Sequence, residues 1–403
     1  MFFIKVAFYK ILMAGLKLAV KFIPQPQPII FSGKNSSLEL AQLMINQDFK
    51  RVLIVTDKVL NQLGIANDIC RLLQQHNIEV VFYDQVTPDP SDIIVEQGVK
   101  AAKVHQCDVV LGLGGGSSLD AAKMIAVLAK STKTVKDVAG LLKIKQHGLP
   151  LFLLPTTSGT GSEVTMAAVI TDSVNNTKLL VISPKTMPMT TALDPVLMQG
   201  MPAKITADTG FDALTHAIES YLSTHANEQT NRYALIAIKL IFKQLPVAYQ
   251  QGDNLEARQS LALASCYAGL AFTKAGLGYV HAISHQIGAK YHLPHGMTNA
   301  SVLPLVLNFT AKASQQRLAE LANAIGLDTT GFTSSEKAES FIQAVKSLQK
   351  EVAIESTLSA IVTEDVNALA KAALKEAHYL YPVPKYLDVS ACEKLIKQLI
   401  PVS

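Results

Sequence analysis

Long uninterrupted apolar runs, dense basic clusters and paired cysteines are all missing from this chain of 403 residues. Each absence narrows the function. The four cysteines, Cys70, Cys107, Cys266 and Cys392, are scattered and form no CxxC pair. A reducing, cytoplasmic setting fits cysteines that act as small buried apolar side chains. Charged residues make up only 17% of the chain, and the net charge of +4 comes without a dense Lys/Arg run. Nucleic acid is therefore not an expected partner. What the chain does have is apolar content, 49% of its residues. That argues against disorder and for a well-buried globular protein of enzyme size. Its length exceeds one ordinary core, so two domains are expected.

Residues 1–23 stand apart. Lys5, Lys10, Lys17 and Lys21 interrupt every apolar stretch, which makes a poor transmembrane span. No AxA-like cleavage site follows an unbroken apolar core, against a secretory signal. At about 100° per residue, Lys10, Lys17 and Lys21 share a helix face, with Phe, Ile and Leu around the rest. Two readings stay open. One is a basic helix lying on an anionic membrane surface. The other is an added helix packed on the body or on a second subunit. Pro24, Pro26 and Pro28 end any helix there.

From Pro28 to about Ile182 strands and helices alternate. Residues 51–56, 78–83 and 108–113 read as buried strands, and 151–154 and 178–182 as further candidates. Residues 91–105 and 117–130 read as helices between them. Such alternation predicts a parallel α/β sheet with helices on both faces, which binds ligands at the carboxyl ends of its strands. Past about residue 200 the strand signals stop and long helical stretches follow. The boundary falls near Gly200-Met201-Pro202.

A glycine cluster, Gly112-x-Gly114-Gly115-Gly116-Ser117, follows the strand 108–113 and precedes a helix. Glycine lets a phosphate approach the backbone, and a helix N-terminus favours negative charge. Ser117 with Asp120 resembles a capping box. The loop reads as a pyrophosphate site or as a tight structural turn, and its strand–loop–helix context favours the first. Pro155 to Glu163 offers hydroxyl and glycine donors to phosphate, ribose or carboxamide. Asp57, just past the strand 51–56, either accepts from ribose hydroxyls, favouring NAD over NADP, or caps a helix.

The stretch from Asp212 to His295 organises the rest. Asp212 and His216 are four residues apart and share a helix face, as do His281 and His285. His295 lies in Pro294-His295-Gly296, where a turn is expected to aim its ring back. Carboxylate and imidazole together suit a borderline divalent ion such as iron or zinc. His76, His105, His147 and His225 read as ordinary surface or satisfied histidines.

The runs GGGSSLDAAK (114–123), TTSGTGSEVT (156–165), GFDALTHAIESY (210–221) and PHGMTNA (294–300) together resemble the iron-containing alcohol dehydrogenases, which include lactaldehyde reductase. The resemblance covers roughly residues 25–400. It implies a dehydroquinate synthase-like architecture: an N-terminal dinucleotide-binding α/β domain with a parallel sheet, an all-α C-terminal domain, and an active site in the cleft between them. The expected organisation is a basic amphipathic helix over 1–23, an NAD-binding α/β domain over 24–200, and a helical metal-binding catalytic domain over 201–403.

Carried over residue by residue, the resemblance places the metal ligands on Asp212, His216, His281 and His295, and His285 beside substrate and nicotinamide as a non-ligand. The pyrophosphate loop falls on Gly114, Gly115, Gly116 and Ser117. Thr156, Thr157, Thr165 and Lys178 match cofactor-lining positions, and Asp57 matches the acid tied to NAD preference. Met166, Ala167 and Ala168 depart from the polar residues of lactaldehyde reductase, and Phe272 matches a pocket position. A simple or longer primary alcohol is therefore expected over a small diol. The run AHYLYPVPKYLD (377–388) lacks the Asn-Pro of many relatives, so no substrate contact is carried onto it.

The expected activity is reversible, NAD- and divalent-metal-dependent oxidation of a primary alcohol to an aldehyde, with Fe²⁺, Zn²⁺ or another divalent ion. His285 would relay the proton, since imidazole titrates near neutrality. Rivals on the same fold are a hydroxyacid–oxoacid transhydrogenase, a polyol dehydrogenase and a dehydroquinate-synthase-like lyase. The last is disfavoured because basic residues for a phosphorylated substrate are lacking. A membrane-tethered binding protein without catalysis is the rival of another class. A homodimer is the expected assembly, with peripheral membrane contact through residues 1–23.

Overall fold

The computed structural model describes residues 2–20, 23–24, 26–175 and 177–401. Lys21, one of the lysines assigned to the basic face, lies outside them. The chain forms two compact units. One comprises residues 24–201 with 253–266. The other comprises residues 1–23, 202–252 and 267–403.

In the first unit the strands are β1 (Ile29–Ser32), β2 (Arg51–Val55), β3 (Glu79–Tyr83), β4 (Val109–Gly114), β5 (Gly140–Leu141), β6 (Leu151–Pro155), β7 (Ala167–Asp172), β8 (Thr177–Ile182) and β9 (Thr190–Leu193). Six of them form one sheet, ordered β1-β9-β6-β4-β2-β3, and every neighbouring pair in it is parallel. The alternation of a strand's side chains sorts them to two faces. Leu53, Val55, Val110, Leu151 and Leu153 join one core cluster. Val52, Ile54, Val109, Leu111, Phe152 and Leu154 join another. Because both faces are covered, the central strands read as unbroken apolar runs. The glycine-led helix α2 (Gly116–Ala129) supplies much of the first cluster.

One strand and one cap differ from expectation. Residues 178–182 are indeed a strand, but β8 pairs antiparallel with β7 and parallel with β5 in a separate three-stranded sheet. Its place in the main sheet is taken by β9, whose Thr190-Thr191 start carries little apolar signal. The capping box also fails. The N-cap of α2 is Gly115, with no side-chain cap bond among the described residues. Asp120 instead accepts from Ser162 Oγ at 2.6 Å and from the N–H of Val169 at 2.9 Å, which ties α2 to β7.

The second unit is helical. The helices used below are α1 (Phe2–Val20), α3 (Ala203–Leu222), α4 (Leu255–Ala275), α5 (Tyr279–Tyr291), α6 (His295–Thr310) and α7 (Val366–Leu380). Of α4, only the part from Tyr267 onward groups with this unit. His378 of α7 is buried and shares a 2.9 Å hydrogen bond with Tyr279 OH. Burial lowers its pKa from 6.5 to about 4. The unfolded chain therefore binds a proton that the folded one refuses. Stability should be full above about pH 6.5 and fall by up to about 3 kcal/mol as the pH drops toward 4. Denaturant melts of wild type and His378→Phe across that window check this, and an identical acid slope in both would contradict it.

Candidate active site

Helix α3 holds the first pair. Asp212 and His216 stand one turn apart on a helix whose residues from Phe211 to Leu222 are all buried. Helix α5 brings His281 and His285, again one turn apart. His295 is the first residue of α6, with Pro294 as its N-cap, so the turn expected around it is a helix start. Gly296 makes that placement work. A Cβ there would come within 2.1 Å of the backbone carbonyl oxygen of Asp208, so only glycine lets α6 begin directly against α3.

These helix ends bring the side chains together. Asp212 Oδ1 lies 3.9 Å from His216 Nε2, 3.8 Å from His281 Nε2 and 3.4 Å from His295 Nε2. Ligand atoms of Asp212, His216 and His281 all fall within 4.8 Å of one another. Phe272 of α4 stacks on the His216 ring at 4.3 Å and walls the site with an apolar face. His281 is buried, His285 half-buried and His295 exposed, so the cluster opens toward the last two.

Asn299, one turn into α6, touches three of the four candidate ligands. Its Nδ2 lies 2.8 Å from Asp212 Oδ1, 3.2 Å from His281 Nε2 and 3.1 Å from His295 Nε2. Its buried Oδ1 has no hydrogen-bond partner among the described residues. A buried carboxylate oxygen with imidazole nitrogens gathered around it is a donor set that fits a divalent cation.

Glu219 was not singled out from the sequence, although it follows His216 by three residues on the same helix. Its Oε2 accepts from His281 Nδ1 at 2.7 Å and from the Gly278 N–H at 2.8 Å, and its Oε1 accepts from the Val280 N–H at 2.7 Å. Burial pushes the Glu219 carboxyl up to about 8, against the pull of the Val280 and Gly278 N–H groups. Burial, with His216, His295 and His285 nearby, holds His281 well below the usual histidine range. The ring is neutral, its Nδ1–H is given to Glu219, and its Nε2 lone pair faces Asp212. Glu219→Gln replaces one of the two accepting oxygens by an NH₂ donor, so it cannot accept from His281 Nδ1, Gly278 N–H and Val280 N–H together. Metal affinity, measured by chelator competition, should fall about 10- to 100-fold; unchanged affinity would remove Glu219 from the site.

Glu376 of α7 was also missed. It accepts from His285 Nδ1 at 2.6 Å, from Gln286 Nε2 at 2.7 Å and from Tyr381 OH at 2.7 Å. His285 thus keeps its Nδ1–H toward a carboxylate and its Nε2 free of that bond. The ring stacks on His295 at 5.3 Å between centroids.

In the α/β unit, Gly114 has φ of 147°, which disfavours any other residue, and a Cβ there would lie 2.6 Å from Ser118 Oγ. The N–H of Thr156 donates to Gly114 O at 3.0 Å, joining the two loops named from the sequence at the carboxyl ends of β4 and β6. The first N–H groups of α2, from Gly116 and Ser117, lie at that edge. Asp57 caps the short helix Lys58–Gln62 by accepting from the Leu60 N–H at 2.9 Å. It also stands at the end of β2, the neighbour of β4.

Other named residues have structural work. Thr165 Oγ1 accepts from Lys123 Nζ at 3.0 Å, and Lys123, fully buried, also donates to Ala167 O at 2.7 Å. Lys178 pairs with Asp89 and donates to Thr171 Oγ1 at 3.1 Å. Ala168 belongs to the core under β7, and Met166 O accepts from Thr186 Oγ1 at 2.7 Å. Within the helical unit, Phe272 supplies an apolar wall beside His216.

Residues 26–195 match the family model for iron-containing alcohol dehydrogenases, and residues 206–400 match the C-terminal model of the Fe-containing alcohol dehydrogenase family. The chain belongs to the iron-containing alcohol dehydrogenase family. It is an NAD-dependent oxidoreductase that interconverts alcohols and aldehydes. It is 37% identical to the NAD-dependent methanol dehydrogenase of Bacillus methanolicus over 357 residues, which cover 88% of this chain and 93% of that one. A crystal structure of 1,3-propanediol oxidoreductase superposes with a TM-score of 0.91 at 34% identity, covering 94% of this chain and 100% of that one. A sulfoacetaldehyde reductase from Bifidobacterium kashiwanohense, solved in complex with NAD⁺, gives a TM-score of 0.85 at 27% identity, covering 95% and 100%.

Proposed function

We propose that this chain oxidises primary alcohols to aldehydes with NAD⁺, and runs the reverse reaction, at the cluster of Asp212, His216, His281 and His295. The observation that carries this is the convergence of ligand atoms of Asp212, His216 and His281 within 4.8 Å of one another, with His295 Nε2 3.4 Å from Asp212 Oδ1. A divalent ion bound there would lower the pKa of an alcohol oxygen and polarise the carbonyl of an aldehyde. Asp212 contributes the charge, and Glu219 fixes the His281 tautomer. His285 Nε2 accepts the alcohol proton and returns it in the reverse direction, while Glu376 holds the Nδ1–H and so orients the ring. NAD⁺ bound to the α/β unit would supply the acceptor for the hydride that leaves the alcohol carbon.

For the cofactor, Gly114, Gly115, Gly116 and Ser117 receive the pyrophosphate at the N-terminus of α2. Thr156 and Thr157 line it from the neighbouring loop, and Asp57 meets the ribose. Thr165 acts indirectly, by anchoring Lys123 beneath the loop, and Lys178 borders the cofactor from β8. Phe272 favours an unbranched apolar alcohol over a diol. NADH formation across primary alcohols, diols and 2-hydroxy acids tests this. Turnover rising from diols to simple alcohols supports it. No free NADH from any alcohol, with transfer between a hydroxy acid and an oxoacid, would instead establish the transhydrogenase.

The buried, free cysteines support a reducing, cytoplasmic compartment; recovery of oxidised cysteines from cells would contradict it. The exposed Ile29 and Ile30 on the edge strand β1 support a homodimer; a monomer mass in sedimentation would contradict that.

A further inference from the structure

Helix α1 lies outside both family matches, which begin at residue 26 and end at residue 400. It has two apolar sides. The inner side is docked. The Tyr9 ring lies 4.7 Å from His378, 5.4 Å from Tyr379 and 5.8 Å from Tyr386. Met13 is buried, and its carbonyl oxygen is 3.0 Å from His225 Nε2. Lys17 Nζ donates to Thr224 O at 3.0 Å. The helix is therefore held in place on the helical unit by packing and hydrogen bonds on one face.

The outer side is left bare. Ile4, Phe8, Ile11 and Leu18 are 77%, 55%, 73% and 59% exposed. They stand at i, i+4, i+7 and i+14, a single stripe on a 3.6-residue helix. Lys5 flanks the stripe on one side and Lys10 on the other; the helix has no acidic residue. Among the described residues no single helix is long and apolar enough to cross a membrane. An apolar stripe edged by cations suits a surface that is greasy below and anionic above. A second copy of the same face suits it poorly, because its lysines would meet lysines with no carboxylate between them.

We propose that the outer face of α1 binds an anionic lipid surface, with Ile4, Phe8, Ile11 and Leu18 inserted at the headgroup boundary and Lys5 and Lys10 against lipid phosphates. The docked inner face keeps the helix ordered before it meets the membrane, so binding spends little on folding it. The enzyme would then work as a peripheral protein at the source of an apolar alcohol or aldehyde.

The test is co-sedimentation of the full-length, metal-loaded enzyme with phosphatidylcholine vesicles, with and without phosphatidylserine. Three proteins are compared: wild type, Ile4→Ser/Phe8→Ser/Ile11→Ser, and Lys5→Glu/Lys10→Glu. The wild type should bind the phosphatidylserine vesicles roughly tenfold or more above neutral ones. Each variant should lose that binding while keeping its alcohol oxidation rate and melting temperature. Equal binding by wild type and both variants would overturn the proposal. So would no vesicle binding together with a concentration-dependent assembly that the serine variant abolishes, since that assigns the face to a second copy.

Discussion

Asp212→Ala should leave a folded protein that retains no divalent ion and has lost alcohol oxidation by on the order of 10³-fold or more. Metal activation of an alcohol oxygen supplies several kcal/mol, and each ~1.4 kcal/mol is tenfold in rate. Asp212 is the one carboxylate among the four carried-over ligands. Its Oδ1 is within 3.4–3.9 Å of His216, His281 and His295 nitrogens. Without it, the three imidazoles are left with no carboxylate among them to balance a cation. Metal analysis of the purified variant, with NADH formation at saturating alcohol, reads both effects. A variant that keeps one ion per chain and full activity would remove Asp212 from the ligand set.

His285→Phe should separate proton handling from metal binding. Alcohol oxidation should fall roughly 10²-fold, the lower end for a lost general acid–base group, with metal content and NAD affinity unchanged. Glu376→Gln should cause a smaller loss, because it leaves the imidazole present and disturbs only the 2.6 Å bond that orients it. Loss of the ion in His285→Phe would mean that this ring is a ligand rather than a relay. The geometry argues against that. His281 Nε2 and His295 Nε2 lie 3.8 Å and 3.4 Å from Asp212 Oδ1, whereas among the described residues the ion-pair partner of His285 is Glu376 and not Asp212.

Much of this was legible in the chain, for physical reasons. The strand Arg51–Val55 announces itself because both faces of a central parallel strand are covered, so no polar residue interrupts it. The strands β1 and β9 are short, and one is an exposed edge while the other opens with two threonines, so neither carries such a signal. The strand β8 has the right composition and the wrong sheet, since apolar content does not specify a partner strand. At the site, the i,i+4 spacing of Asp212 with His216 and of His281 with His285 predicts a shared helix face, and the helices α3 and α5 supply it. Glu219 and Asn299 lie on those same periodicities, three residues after His216 and four after His295, and could have been found by extending the rule. Glu376 could not. It is 91 residues from His285, and only the packing of α7 on α5 brings them together. Ser117 and Asp120 look like a cap in sequence, yet tertiary partners on β7 and Ser162 claim the carboxylate.

The central claim is that a single divalent ion at Asp212, His216, His281 and His295 makes this chain an alcohol dehydrogenase. The most direct measurement is a metal titration of chelator-stripped enzyme, prepared anaerobically, following NADH formation from a primary alcohol. The stripped protein should be inactive, and activity should recover and saturate at one Fe²⁺ or Zn²⁺ per chain. Stripped protein that binds NAD and oxidises the alcohol at the full rate would contradict it.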